Sequence, residues 1–476
     1  MAPDRFQEQF DQIQREMAGT RLAAGPDDAP EFLYEKGHVI ARQGEDAHLV
    51  ANAIIDRFSE DSGRERLVRR VGPETTASGV SKIQVGDPGE GGRWSDRNVS
   101  DALRAVRDLE HRAGRRLLSR NHVVSIAVNC CPGDEPVPVS RTLPPNPAVA
   151  QGAFSTDASV SVLVIDTGLV HDYEGYEWKG HVTGELKKVE FGQGGVLKQY
   201  VGHGTFIAGL IAAVAPNTTI KVRNTLQNAG AILEDQLGEK LFEAVADEWP
   251  DIISLSAGTP NGCHETLKGL EPFMEALHTQ RTLLVAAAGN NANATPFWPA
   301  AYAALPGYRG AVVSVGALRS DGEFGACFSN YGPWVTMYAP GERLISSFTG
   351  IHDPVSYRYQ HSSYEECRHG FTYACTCQRP KHVGELSEGY DPTPAEVETV
   401  RFDGLAQWSG TSFATPLVVG MIADYMTANK ETDPRAAARE LFTANTGFAE
   451  VRGVCVPALR PTTWSPAPVE KLPSRS

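Results

Sequence analysis

The chain has 476 residues, 41% of them hydrophobic and 21% charged, with 46 glycines and 31 prolines, a composition usual for folded proteins rich in turns. A net charge of −14 disfavours sequence-independent binding to nucleic acid, which needs clustered Lys and Arg. No run of about 18 uninterrupted apolar residues is present to span a bilayer, and the start MAPDRFQEQFDQIQREMAG has no apolar core of leader length, so the expectation is a cytoplasmic protein with neither nucleic-acid nor membrane partners.

Residues 1–30 are polar and read as a short helix or an unordered lead. FLYEKGHVIAR (32–42) alternates as a strand does, and EDAHLVANAIIDRF places Leu49, Val50, Ile54 and Phe58 at helical spacing. ERLVRRVG and VSKIQVGD read as strands. Ser100 is a candidate N-cap for a helix carrying Leu103, Val106 and Leu109, and HVVSIAVN (122–129) closes the region as a last strand. This β-α-β-α-β order over 31–130 predicts a small α+β domain. The proline-rich 131–151 reads as a linker, and 457–476 as a loose proline-rich tail.

From 152 onward, short apolar runs (VSVLVID, TIKVRN, DIISLSAG, TLLVAAAGN, AVVSVGAL) alternate with helical segments. That pattern predicts an α/β domain over 152–456 with a parallel sheet and helices on both faces. Such folds place ligands beyond the carboxyl ends of their strands, which draws attention to the polar or small residues found there: Asp166, Ser256, Gly258 and Asn290. His203 lies in GHGTFIAG and Ser412 in SGTSFATP, each at a turn leading into an apolar helix. A serine becomes a nucleophile only when a base takes its proton. The imidazole in turn needs a carboxylate to fix its tautomer, and the tetrahedral intermediate needs donors for its oxyanion.

The stretches VLVIDTG, GHGTFIAG, ISLSAG, AAAGN, FSNYGPWVTMYAPG and GTSFATP resemble the subtilisin-like serine peptidases, the subtilase family, over about 152–350 and 405–445. The resemblance implies a subtilisin-like parallel sheet and a serine endopeptidase without a cofactor, acting on polypeptides. It assigns Asp166 as orienting carboxylate, His203 as base then acid, and Ser412 as nucleophile. The Asn290 side chain becomes an oxyanion donor beside the Ser412 backbone N–H. Ser256, Ala257 and Gly258 would form one wall of the pocket for the residue preceding the scissile bond, and Ala286, Ala287, Ala288 and Gly289 the other. All-small walls suggest a pocket open to large or varied residues. Pro416 falls early in its helix, where a missing N–H costs little.

The 31–130 region resembles a subtilase propeptide, which would make it an intramolecular inhibitor with self-cleavage in 131–152; a regulatory or partner-recognition domain is the alternative. Residues 351–405 form an insertion in which Cys367, His369, Cys375 and Cys377 are zinc candidates, although their spacing fits no standard site. Eight cysteines in all are too few for a disulfide scaffold, and reduced thiols are expected. Two rival functions use the same residues: a transpeptidase or macrocyclase in which an amine intercepts the acyl-enzyme, and a non-catalytic regulatory scaffold.

Overall fold

The structure is a computed structural model. It describes residues 5–17, 19–24, 30–60, 64–86, 95–127, 136–140, 142–150, 160–190, 198, 200–261, 265–352, 354–359 and 398–467. The insertion residues 360–397, with the four zinc candidates, lie outside them.

The region from residue 160 onward is built on a nine-stranded sheet. Its strands run in the spatial order Gly447–Val451, Val454–Ala458, Met337–Pro340, Val312–Leu318, Leu283–Ala287, Ile252–Leu255, Val160–Asp166, Thr218–Asn224, Val182–Gly184. All neighbours are parallel except the first pair, a terminal hairpin. Central strands such as Leu283–Ala287 and Val312–Leu318 are buried throughout, as expected of β-branched and small apolar runs covered on both faces. The chain leaves Val160–Asp166 toward Thr218–Asn224 on one side and later returns to Ile252–Leu255 on the other. The strand order therefore reverses at Asp166, the position where such sheets open a crevice. Two helices, His203–Val214 and Thr411–Asn429, cross close by; a methyl group on Gly420 would lie 2.8 Å from Val214 Cβ, so the approach requires glycine.

The N-terminal region is an antiparallel sheet covered by the helices Glu45–Glu60 and Ser95–Ala105. Val50, Ile54 and Phe58 are buried there together with Val39, Ile83 and Val99, while Leu49 is 43% exposed and outside the stripe. Ser100 lies inside the helix Ser95–Ala105 and not at its start, because the buried face already includes Asn98 and Val99 and continues through Ala102. A strand at Thr20–Ala24, hidden in the polar lead, pairs with Pro30–Arg42. The sheet is completed across the domain boundary. Ala231–Leu233 of the larger region pairs antiparallel with the last N-terminal strand, Leu118–Ser125, in the register Ala231 to Ser125 and Leu233 to Val123.

Two proline-rich segments, one read as a linker and one as a loose tail, are packed over their described residues. Val137–Pro138, in the linker, pairs with Leu405–Trp408, and Asn146 exchanges backbone hydrogen bonds with Ile345. In the tail, Trp464 is buried, Ser465 N donates to Asn146 Oδ1 at 3.0 Å, and Ala467 N to Ser320 O at 2.9 Å. Proline removes donors but not acceptors or apolar surface, so a proline-rich segment still packs where its carbonyls find partners.

Candidate active site

Asp166 ends its strand fully buried. Oδ1 accepts from Thr167 N at 2.7 Å and faces His203 Nδ1 at 2.9 Å, while Oδ2 lies 3.0 Å from the same nitrogen. With Nδ1–H donated to the carboxylate, the free nitrogen of His203 is Nε2. The imidazole is 1% exposed and set among rings: Tyr200 at 5.7 Å, Trp408 at 5.3 Å and Phe413 at 5.0 Å between centroids. The glycines that flank it have local reasons. Gly202 takes φ +82 as the helix begins, and Gly204 rests against the Gly168 carbonyl, where a side chain would collide.

Ser412 is the second residue of the helix Thr411–Asn429, so its N–H is among the donors that a helix start leaves without an internal acceptor. Pro416 is further in than the sequence suggested: an N–H at that position would have bonded to Ser412 O. Ser256 Oγ donates to that carbonyl instead, at 3.0 Å. Ser256 thus replaces the missing bond and ties the nucleophile turn to the end of Ile252–Leu255. The Ser412 hydroxyl donates to Ser256 O at 3.4 Å.

Asn290 follows the strand Leu283–Ala287 across a turn at Gly289 (φ +94). Its Oδ1 accepts from both Thr411 N at 2.9 Å and Thr411 Oγ1 at 2.8 Å. Two donors on one oxygen decide the orientation of the amide and leave Nδ2 directed into the groove. Gly289 N donates to Thr411 Oγ1 at 3.2 Å. Asn330, from the FSNYG stretch, braces the turn from behind: Nδ2 donates to Ala288 O at 2.7 Å, and Oδ1 accepts from Asn291 N at 2.9 Å. Asn330 was legible only as part of a motif; its role depends on contacts across more than 35 positions of chain.

Of the two expected walls, Gly258 pairs with a neighbouring segment at the groove, while Ser256 is buried with its hydroxyl on Ser412 O. Ala257 is buried between them. Ala286 and Ala287 remain inside the strand, paired with Ser314 and Val315, and Ala288 N donates to Val315 O. Gly289 is the turn residue that leads from this stretch to Asn290.

The groove is filled by the chain's own residues 125–127. Ser125 exchanges both backbone hydrogen bonds with Gly258 (3.0 and 2.9 Å), and Ile126 N donates to Gly230 O at 2.9 Å. Asn290 Nδ2 then donates to Ala127 O at 2.8 Å. The N-terminal helix Arg5–Glu16 lies over this segment, with Gln9 Nε2 donating to Ile126 O at 2.9 Å, and Phe10 and Ile13 packed with Val123, Ala229 and Leu233.

The sequence model of the subtilase family (peptidase S8) matches residues 157–455, more than half of the chain. This protein belongs to the subtilase family. It is 32% identical over 204 residues to a thermophilic serine proteinase of Bacillus sp. strain AK1, covering 40% of this chain and 45% of that one. It is 30% identical over 202 residues to an intracellular serine protease of Paenibacillus polymyxa, covering 40% and 59%. The matched stretches thus span about half the length of these relatives. Among solved structures, fervidolysin from Fervidobacterium pennivorans, a keratinolytic enzyme related to subtilisin, superposes with a TM-score of 0.51 at 17% identity, covering 92% of this chain and 62% of that one. That likeness concerns the fold alone and covers nearly the whole chain. Among the described residues, no helix is long and apolar enough to cross a membrane.

Proposed function

We propose that this subtilase is a serine endopeptidase made as a latent precursor, with its N-terminal domain seated in its own substrate groove. The observation that carries the reading is the bond from Asn290 Nδ2 to Ala127 O. It presents a peptide carbonyl to an oxyanion donor while Ser125 is paired along the strand edge at Gly258. Pairing through the main chain holds an extended peptide with little regard to its sequence. The relatives' names as serine proteinases support the same chemistry.

In this reading Ser412 Oγ attacks the carbonyl carbon of Ala127, and its proton passes to Nε2 of His203. Asp166 holds Nδ1–H and stabilises the imidazolium. The carbonyl electrons move onto oxygen, where Asn290 Nδ2 and the Ser412 N–H receive them. The C–N bond to Val128 then breaks as His203 returns the proton to the departing amine, leaving Ala127 esterified to Ser412. Water, deprotonated by His203, hydrolyses that ester and restores the serine. The bond cut is therefore Ala127–Val128, ahead of the 131–152 window suggested by the proline-rich linker.

The test is intact-mass analysis of purified wild type beside Ser412→Ala over time. Wild type should divide into pieces ending at Ala127 and starting at Val128, while the variant stays whole. A cut elsewhere, or a variant that also divides, sinks the assignment of this bond; a wild type that stays whole and resists fluorophosphonate labelling of Ser412 even after the N-terminal domain has been released sinks the peptidase itself.

A further inference from the structure

Phe297 follows Asn290 by seven positions, is 3% exposed, and lies between the two sides of the groove. A methyl group on Gly258 would come 2.6 Å from Phe297 Cδ1. One on Gly289 would come 3.0 Å from Cγ and 3.1 Å from Cδ1 of the same ring. One ring therefore touches both the edge residue that pairs with Ser125 and the turn residue that precedes Asn290. Gly258 does not have a left-handed φ, so its lack of a side chain is explained by the ring and the Trp298 carbonyl lying against it. The ring is also held in place. Trp298 exchanges backbone hydrogen bonds with Thr259 (3.0 and 2.9 Å), Ala301 N donates to Phe297 O at 2.9 Å, and Trp298 stacks edge-on against Tyr302 at 5.1 Å.

A cavity of about 30 Å³ borders Ala127, Gly258 and Phe297, and it lies at the joint with the N-terminal region, whose Gln9, Phe10, Phe32 and Val123 line it as well. That is room for a water or two, against roughly 150 Å³ in a cavity that takes up benzene. Small walls had suggested a pocket open to large residues. Here the same small walls accommodate a ring that belongs to the protein.

We propose that Phe297 sets the specificity of the peptidase. By filling the slot between Gly258 and Gly289, it confines the residue on the acyl side of the scissile bond to alanine, glycine or serine. Ala127, the residue whose carbonyl rests on Asn290, meets that restriction. The inference rests on the peptidase reading above. A larger residue has to displace a fixed ring from a packed site, and overpacking of that kind is resisted.

The test uses the full chain after it has processed itself, with peptide anilides that differ only in the residue before the cleaved bond. Wild type should favour Ala over Phe by about 10²-fold in kcat/KM, the scale at which a tight pocket rejects excess size. Phe297→Ala should raise the Phe-to-Ala ratio by a similar factor. Within the chain itself, Ala127→Phe should block cleavage at 127–128, and adding Phe297→Ala should restore it, read by intact mass. Equal turnover of Ala and Phe substrates by wild type overturns the proposal. So does a folded Phe297→Ala or Phe297→Leu enzyme whose ratio is unchanged. The wild-type series needs no variant, so a misfolded substitution does not shield the idea. If Ser412 takes up no fluorophosphonate and no peptide is cut, it is the peptidase reading that fails first.

Discussion

Two strands meet at the groove, and they are used differently. Val160–Asp166 ends in a carboxylate whose oxygens are committed to Thr167 and His203; what matters at its end is one side chain. Leu118–Ser125 runs on into the groove through Ser125, Ile126 and Ala127, whose main-chain atoms make the contacts. Chemistry is thus encoded by side-chain identity at buried strand ends, whereas occupation of the groove is encoded by backbone shape and a single size restriction. Substitutions on the first strand's side should abolish turnover without loosening the N-terminal domain, and those along 123–126 should do the reverse.

The largest expected effect is at Ser412. Ser412→Ala should lower kcat/KM on the order of 10⁶-fold, the scale known for subtilisin itself, while circular dichroism and the thermal midpoint stay near wild type. Asn290→Ala comes next, with a loss of about 10²–10³-fold confined to kcat, again the subtilisin scale for an oxyanion donor. An equal loss in binding alone would argue that Asn290 holds Ala127 without serving the transition state. Thr411→Val is a finer probe of the same amide. It keeps the backbone N–H on Asn290 Oδ1 but removes the hydroxyl bond and the acceptor for Gly289 N. The amide then loses one of two anchors, and kcat should fall by about tenfold, the worth of one ordinary hydrogen bond. Full activity in Thr411→Val would leave the orientation of Asn290 to the backbone alone.

The catalytic sheet was readable because burial on both faces forces apolar runs, and a polar residue at the end of such a run stands out. Asp166, Asn290 and the turns around His203 and Ser412 carried that signal. Asn330 and Phe297 did not, because their roles arise from contacts across the fold that no local period encodes. Phe297 shows this most plainly, since from sequence it is one more aromatic in an apolar stretch. The joint sheet was hidden for another reason. Ala231–Leu233 is a three-residue strand with no pattern of its own, and it exists only because Leu118–Ser125 pairs with it. Packing of the tail through Trp464 was masked by proline content, which signals lost donors and says nothing of buried surface.

That shared sheet also places a titratable group where the two regions meet. Glu234 begins the helix Glu234–Ala244 and is fully buried. Burial raises its carboxyl above the ordinary value of 4.5, with His122 of the N-terminal domain pulling the other way. Oε1 lies 3.3 Å from His122 Nδ1 and 3.5 Å from Ser119 Oγ, while Oε2 has no partner among the described residues. Neighbouring Asp235 is already engaged by Lys82 at 2.9 Å and donates its N–H to Asn121 Oδ1. Because the folded state holds the Glu234 proton more tightly than the unfolded chain, it binds more protons from pH 4.5 up to the raised folded value. Stability contributed at this site is therefore full below that window and falls as pH rises through it. Glu234→Gln keeps the shape and removes the charge. In the uncut Ser412→Ala background, the Gln variant should unfold at the same urea midpoint as its parent at pH 4 and at a higher one at pH 8. A parent whose advantage instead grows with pH would mean that the carboxylate is welcome at the joint, held by a charged His122, and that the two regions are joined by an ion pair and not in spite of a buried acid.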